Sequence, residues 1–229
     1  MIEDPPLLQI RRRFPRPEAA LVASFAGVPT EHLVDAMDGR GALDYRIKAI
    51  DPTRASFAGC AVTCQCAPGD NLAIVAALAQ LMLGDVIVAA TDAHRSLAVV
   101  GRRITGMAKN RGAVAVVTDG LARDTPGIRN NGLPVFCSGV TPNSATASGP
   151  GVVGELVVLG GVAIHAGDII VGDADGIVIV PLGRAEEVLQ RLAGVRAREA
   201  DLAQKLAAGL GVPRRVTELL ASPRVRYLD

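Results

Sequence analysis

The chain has 229 residues, of which 49% are hydrophobic, and this is enough to bury one substantial core. Its 24 basic and 23 acidic residues leave a formal charge of +1, so the total charge does not favour binding to nucleic acid or to an anionic membrane. No uninterrupted apolar stretch reaches the roughly 20 residues that cross a bilayer, and the N-terminus lacks the pattern of a secretory signal. We expect a soluble, cytoplasmic protein.

The first 28 residues are predicted to form an N-terminal arm, and residues 29–229 a single domain that includes a C-terminal helix. The arm carries a basic cluster of Arg11, Arg12, Arg13 and Arg16 among prolines. Such a cluster can hold a nucleic-acid phosphate, but a short run in a chain of neutral total charge is more typical of a solvated arm or a subunit contact. Nucleic-acid binding is therefore not expected.

Apolar periodicity and turn residues divide the next part of the chain into helices and strands. A short helix is predicted from Pro29, with Thr30 as a possible cap. A strand over 59–66, a helix over 71–83 and a strand over 86–90 follow. A helix over 98–111, closed by Gly112, leads to a strand over 113–117. A loop with Arg123 and Asp124 then precedes a strand over 133–137.

Turn-rich sequence over 151–180 predicts consecutive short β elements, and Asp175-Gly176 is read as a hairpin signal and not as part of a calcium site. Apolar positions among the charges of residues 184–208 predict a long amphipathic helix. The strand-helix-strand order favours parallel pairing, whereas the turn-rich section favours antiparallel pairing. The predicted fold class is α/β, with helices around β layers.

The four cysteines, Cys60, Cys64, Cys66 and Cys137, lie in apolar, strand-like sequence. In a cytoplasmic chain this is typical of reduced, small core residues. Cys64 and Cys66 would share one face of a strand, as a pair of metal ligands does. No histidine or second cysteine pair lies nearby in the sequence to complete a tetrahedral site, so a zinc site is not expected.

Arg123 and Asp124 follow an apolar strand, and loops at strand ends in α/β folds present side chains to ligands. A guanidinium group binds a carboxylate or keto acid through a planar fork, and a carboxylate is a hard ligand for magnesium or manganese. The alternative is a surface ion pair, or a cap for the segment that begins at Thr125. The dipeptide alone does not separate these possibilities.

Gly101 lies near the beginning of the predicted helix that ends at Gly112. Free backbone amides and the helix dipole favour an anion at such a position, and the carboxylate of a keto acid would fit there. The alternative is that Gly101 only permits close packing.

The stretch from Gly101 to Asp124 resembles the RraA-like family, which contains the 4-hydroxy-4-methyl-2-oxoglutarate aldolases and the regulators of ribonuclease E activity. The similarity continues at Val34-Asp35-Ala36, Gly59, Gly132 to Phe136, Gly139 to Pro142 and Gly167 to Gly176. It covers most of the chain from about Thr30 to Ala208. The resemblance implies a layered β/β/α domain of the swivelling type with a long C-terminal helix.

The activity that this resemblance implies is cleavage of 4-hydroxy-4-methyl-2-oxoglutarate, or of related 4-hydroxy-2-oxo acids, to pyruvate, with decarboxylation of oxaloacetate as a further activity. At matching positions Asp124 would hold Mg2+ or Mn2+ and Arg123 the pyruvyl oxygens. The backbone from Gly101 through Arg102, Arg103 and Ile104 would receive the carboxylate. Glu199 would reach the metal site of an adjacent subunit in a homotrimer or homohexamer, unless it is one more charge on a solvated helix.

Retro-aldol cleavage leaves an enolate, which requires a Schiff-base lysine or a metal as its electron sink. None of the three lysines, Lys48, Lys109 and Lys205, lies on an apolar strand where burial would lower its pKa. The metal-dependent route is therefore favoured. A water on the metal is one candidate for the general base, and His94 is the other.

Two places in the chain depart from the family pattern. Arg102 and Arg103 follow Gly101, where many members have an acidic or an apolar residue, and Gly127 lies three positions after Asp124, where an acidic residue is frequent. The two arginines would either strengthen the binding of a dicarboxylate or face solvent. A second function also stays open, because the family includes regulators that bind a protein partner. Retention of Arg123 and Asp124 does not separate a regulator from an aldolase.

Overall fold

A computed structural model describes residues 6–228, which form fourteen strands and seven α-helices. The strands are β1 (Leu8–Ile10), β2 (Lys48–Ala49), β3 (Phe57–Cys66), β4 (Asp85–Ala90), β5 (Ala98–Val100), β6 (Ala115–Thr118), β7 (Leu121–Ala122), β8 (Val135–Cys137), β9 (Gly139–Val140), β10 (Gly151–Val153), β11 (Val157–Leu159), β12 (Val162–Ile164), β13 (Ile169–Gly172) and β14 (Ile177–Val180). The helices are α1 (Ala19–Ala23), α2 (Thr30–Ala36), α3 (Leu72–Ala77), α4 (Arg102–Asn110), α5 (Thr125–Asn131), α6 (Ala185–Ala207) and α7 (Arg214–Leu220).

Nine of these strands form one mixed sheet with the order β1-β10-β3-β4-β6-β8-β2, and β13 joins it by pairing with β3 and β14. Its centre is parallel, because β3, β4, β6 and β8 each pair in parallel with the next. The six residues of β4 are all buried. After Asp85 the strand is a continuous apolar run, which is typical of parallel strands that are covered on both faces.

The two faces of the sheet are covered differently. Helices α3, α4 and α5 pack on one face, where Ile74, Ile104 and Ile128 share a core with Val62 and Val116. The opposite face packs against the β11-β12 hairpin in a second core, to which β13 and β14 of the same sheet contribute Ile170 and Ile179. This arrangement confirms the predicted α/β class with layered β and helical elements.

The C-terminal helix α6 lies over a third core, in which Val188 and Leu192 contact α2 and the β13-β14 pair. Only its first half is attached in this way, since every residue from 196 to 209 is exposed. The side chains of Leu202 and Leu206 are 41% and 58% exposed. The second half of α6 and the following α7 therefore extend away from the body of the chain.

The segment predicted as an N-terminal arm packs on the body in the part that the structure describes. Strand β1 pairs in parallel with β10, and Phe25 is fully buried beside Leu33 of α2. The Arg16 guanidinium bonds the carboxylate of Asp85 at 2.6 Å, and the Asp85 side chain is only 2% exposed. Residues 1–5 of the predicted arm lie outside the described residues, and the domain boundary at residue 28 stays a prediction.

Three local predictions were wrong. The predicted helix over 98–111 begins only at Arg102, because residues 98–100 form β5 and pair with β7. The predicted helix over 71–83 ends as an α-helix at Ala77 and continues as a 3-10 turn to Gln80. Thr30 does not cap α2; its backbone N–H instead donates to the carboxylate of Asp173 at 2.8 Å.

All four cysteines are buried and free, as their apolar surroundings predicted. Burial raises the pKa of the Cys60 thiol to about 12 and also raises that of Cys137. A hydrogen bond with Cys66 raises the pKa of Cys64. Because the thiolate is the reactive form, we expect the folded protein to be inert to Ellman's reagent and all four thiols to react in denaturing urea. A fast-reacting thiol in the folded protein would contradict this prediction.

Candidate functional site

Three short parallel strands, β5, β7 and β9, form a small sheet of their own. Gly101 directly follows β5, and Arg123 and Asp124 directly follow β7. Because the carboxyl ends of parallel strands meet at one edge, residues separated by more than 20 positions in the sequence come together there. Pro142, shortly after the end of β9, reaches the same place.

A surface cleft of about 600 Å³ lies at this edge, and we call it the candidate cleft. It is lined by all of the residues between 101 and 124 that were predicted to bind substrate or metal, namely Gly101, Arg102, Arg103, Ile104, Arg123 and Asp124. Val75 and Met107 add an apolar wall. The combination of guanidinium groups, one carboxylate and an apolar side suits a small anionic ligand.

Helix α4 presents its N-terminus to the candidate cleft. The residue before the helix is Gly101, whose backbone is extended. Because glycine has no side chain, it cannot accept a hydrogen bond from the first backbone N–H groups of α4. The backbone of Thr105 donates to the carbonyl of Gly101 at 3.1 Å and closes the first turn. The amides before Thr105 are therefore left for a ligand, and the helix dipole favours one with negative charge.

Arg123 is held from two sides. Its backbone N–H donates to the carbonyl of Val100 at 2.9 Å, and its guanidinium group bonds the hydroxyl of Ser144. A Cβ atom at Gly101 would lie 3.3 Å from the Cγ atom of Arg123, so the absence of a side chain at Gly101 lets Arg123 lie close to the start of α4. Sequence reasoning missed Ser144, because a single hydroxyl in a polar loop carries no signal.

Asp124 has a left-handed backbone with φ 58°, which is uncommon for residues other than glycine but tolerated by aspartate. Its Oδ1 atom accepts from the N–H of Gly127 at 3.2 Å and so caps α5. Its Oδ2 atom lies 3.1 Å from Nε of Arg102. Capping and ion pairing, the alternatives to a metal role, are thus both present, although the partner is Arg102 and not Arg123.

The donor set fits a divalent ion held largely through water. Among residues 6–228, no group of three or more histidine, cysteine, aspartate or glutamate side chains is placed to hold a metal. Mg2+ commonly binds one or two carboxylates and keeps several waters. The Asp124 side chain is 44% exposed, so its oxygens are accessible for that kind of binding. An ion there would compete with Arg102.

Glu199 lies on the exposed second half of α6 and does not line the candidate cleft. Glu199 could therefore contact a metal site only in the cleft of another copy of the chain, as predicted. His94 is also not a lining residue. Its Nε2 atom is buried, without a hydrogen-bond partner among the described residues, and faces Gly69. None of the three lysines lines the cleft either.

The model of the RraA-like family, described as Aldolase/RraA, matches residues 30–179. The chain belongs to the RraA-like family. The matched segment contains every cleft residue predicted from the sequence and ends before α6, so Glu199 lies outside it. The resemblance on which the sequence analysis relied is thereby confirmed.

A curated relative is the "Putative 4-hydroxy-4-methyl-2-oxoglutarate aldolase" of Halalkalibacterium halodurans, which is 36% identical over 184 residues, or 80% of this chain and 86% of that protein. Among solved structures, Streptomyces coelicolor RraAS2, described as an unusual member of the RNase ES inhibitor RraA protein family, is 28% identical with a TM-score of 0.74. It covers 83% of this chain and 100% of its own.

A second solved structure, the RNA-processing inhibitor RraA from Thermus thermophilis, is 26% identical with a TM-score of 0.62 and covers 67% of this chain and 93% of its own. Relatives of this chain therefore carry names from both functional classes, an aldolase and inhibitors of RNA processing. Within the described residues, no helix has the length and apolar character needed to span a membrane.

Proposed function

We propose that this protein is a divalent-metal-dependent lyase that cleaves 4-hydroxy-4-methyl-2-oxoglutarate, or a related 4-hydroxy-2-oxo acid, to pyruvate in the cytoplasm. The observation that carries the proposal is the convergence of Arg123, Asp124 and the uncapped start of α4 on one cleft. The aldolase name of the Halalkalibacterium halodurans relative supports it.

Each part of the candidate cleft has a role in this reaction. The amides of Arg102, Arg103 and Ile104 bind the carboxylate of the pyruvyl unit, and Arg123 donates to its carboxylate and keto oxygens. Ser144 holds the Arg123 side chain in place. Asp124 would hold Mg2+ or Mn2+, which would supply Lewis-acid stabilisation of negative charge.

The electron pair of the broken carbon-carbon bond passes into the pyruvyl unit as an enolate, where the fixed charge of Arg123 offsets it. The proton of the 4-hydroxyl group leaves to water, because among the described residues no histidine or lysine lines the cleft. Protonation of the enolate carbon then gives pyruvate. Oxaloacetate would lose carbon dioxide through the same enolate, and this makes decarboxylation a second activity.

A homotrimer or homohexamer, which the family resemblance implies, would cover the exposed second half of α6. The apolar side chains of this half, including Leu202 and Leu206, are uncovered in the single chain. A neighbouring copy would cover them and would bring Glu199 to the metal side of another cleft, as the family resemblance implies.

A regulator of ribonuclease E activity is the second candidate. Two structural relatives are described as inhibitors in RNA processing, and Asp124 is engaged by Arg102 and the α5 cap in the free chain. A regulator would act through its surface and would need neither metal nor keto acid.

Metal removal separates these functions. Pyruvate release from 4-hydroxy-4-methyl-2-oxoglutarate and from oxaloacetate is measured with Mg2+, with Mn2+ and with excess EDTA, against the metal-only background. We expect release with either metal, loss with EDTA and recovery when metal is restored, because the enolate needs the electron sink. Release that is unaffected by EDTA would contradict the metal-dependent mechanism, and no release from either substrate would favour the regulator.

A further inference from the structure

The guanidinium group of Arg102 is bonded to the same carboxylate that is proposed to hold the metal. Its Nε atom lies 3.1 Å from Oδ2 of Asp124. We call this contact the Arg102–Asp124 pair. The two side chains are 63% and 44% exposed, and ion pairs with this exposure are weak and exchange readily.

Gly127 makes room for the pair. A Cβ atom at this position would lie 2.6 Å from Cδ of Arg102 and 2.7 Å from Oδ2 of Asp124. A larger residue would therefore force at least one of the two side chains to move. The side chain of Arg102 and the absence of a side chain at Gly127 are therefore structurally linked.

The cleft also has an excess of positive charge. Arg102, Arg103 and Arg123 line it together with a single carboxylate, that of Asp124. If a divalent ion takes the place of Arg102 at Asp124, the guanidinium group is released at the start of α4. It is then available for a second carboxylate on the ligand, since arginine binds carboxylates through a planar fork.

We propose that Arg102 is an internal competitor of the divalent ion, and that it leaves Asp124 when the ion binds and then holds the distal carboxylate of the substrate. This inference rests on the proposed function, because it assumes that Asp124 is the metal ligand. It adds that this chain binds the free ion weakly and that Arg102 is the residue that holds the second carboxylate of the substrate.

The competition between Arg102 and the ion is tested by titrating the protein with Mn2+ and measuring the free ion by electron paramagnetic resonance. No substrate is present, so the result does not depend on enzyme activity. Arg102→Ala should bind Mn2+ about fivefold more tightly than the unaltered protein, since an exposed competing ion pair is removed. Arg103→Ala is the matched control, because it removes one positive charge from the same cleft but no ion pair in the described residues. Its Mn2+ affinity should stay within about twofold of the unaltered protein. Equal Mn2+ affinities in the two variants would overturn the inference.

The proposed contact between Arg102 and the distal carboxylate is tested by comparing a ligand that has this carboxylate with one that lacks it. In Arg102→Ala, KM for 4-hydroxy-4-methyl-2-oxoglutarate should rise about tenfold, since one charged hydrogen-bond partner of the distal carboxylate is lost. At saturating Mg2+, the affinity for pyruvate, which has no distal carboxylate, should be unchanged. An unchanged KM in this variant would overturn the substrate role.

These measurements distinguish the inference from the proposed function. If the unaltered protein binds Mn2+ and releases pyruvate but Arg102→Ala binds the ion no more tightly, only the inference fails. If neither protein binds Mn2+ and neither releases pyruvate, both fail. Asp124→Asn, which keeps the size of the side chain, should abolish Mn2+ binding whenever the inference holds.

Discussion

Replacing Arg123 or Asp124 with alanine should lower kcat/KM for pyruvate release by at least about 100-fold, which is the usual loss when one group that stabilises developing negative charge is removed. Arg123 lies beside the start of α4, and in the proposed reaction its fixed positive charge would face the keto acid. Asp124 is the one carboxylate among the lining residues of the cleft. Neither variant should retain metal-dependent release above the metal-only background.

A matched control exists for the aspartate variant. Asp38 also has a left-handed backbone with φ 58°, and it also pairs with an arginine, Arg191, outside the candidate cleft. Asp38→Ala therefore reproduces the backbone strain and the lost ion pair without affecting the proposed chemistry. Full activity in Asp38→Ala and loss in Asp124→Ala would assign the effect to the cleft, whereas equal losses in both would contradict a catalytic role for Asp124.

Arg16→Ala should lower the free energy of unfolding by about 3 kcal/mol, because it leaves the carboxylate of Asp85 buried without its charged partner. The Asp85 side chain is 2% exposed, and without Arg16 it would keep the neutral backbone N–H of Met82, at 2.7 Å, but lose its charged donor. Arg16 also stacks over the ring of Phe14 at 4.6 Å, so the substitution removes packing as well. Urea unfolding at a fixed protein concentration measures the loss.

Arg11→Ala is the control for this stability prediction. Arg11 pairs with Glu155, but the two side chains are 53% and 47% exposed, so the substitution should cost no more than about 1 kcal/mol. If both variants unfold at the same urea concentration, the contact between Arg16 and Asp85 does not anchor the N-terminal segment.

The candidate ligand-binding residues were predicted one by one, but their convergence in one cleft was not predicted from local patterns. Arg123 and Asp124 were placed in a loop after an apolar strand, and Gly101 near the start of a helix whose N-terminus would bind an anion. The short strands β5 and β7, which bring these residues together, were not predicted. The similarity to a known family added the expected roles, which composition and spacing alone could not supply. What these residues do in this chain stays a proposal.

The contacts that were not predictable join residues far apart in sequence. Asp173 caps the helix that starts at Thr30 across 143 positions, and Arg16 pairs with Asp85 across 69. Local patterns carry no information about such partners. The basic cluster was therefore read as a solvated arm or a subunit contact, although Arg16 pairs with Asp85 within the chain.

Strand β5 was missed for a different reason. Its three apolar residues extend the periodic pattern of the helix that follows, so periodicity alone cannot separate a short buried strand from a first helical turn. Pairing with β7 decides the outcome, and the extended backbone of Gly101 then separates strand from helix. This boundary creates the helix N-terminus in the cleft.

The most direct test of the proposed chemistry is the exchange of the methyl protons of pyruvate for deuterium in deuterium oxide. Proton NMR measures this exchange over time, with Mg2+ and no Mn2+ in the buffer. An enzyme that forms the enolate of pyruvate removes a methyl proton and returns deuterium from solvent, whatever the rest of its substrate is. We predict loss of the methyl signal with protein and Mg2+, and its persistence with EDTA or with Asp124→Asn. Exchange no faster than with Mg2+ alone would contradict the assignment of this cleft to a pyruvyl lyase.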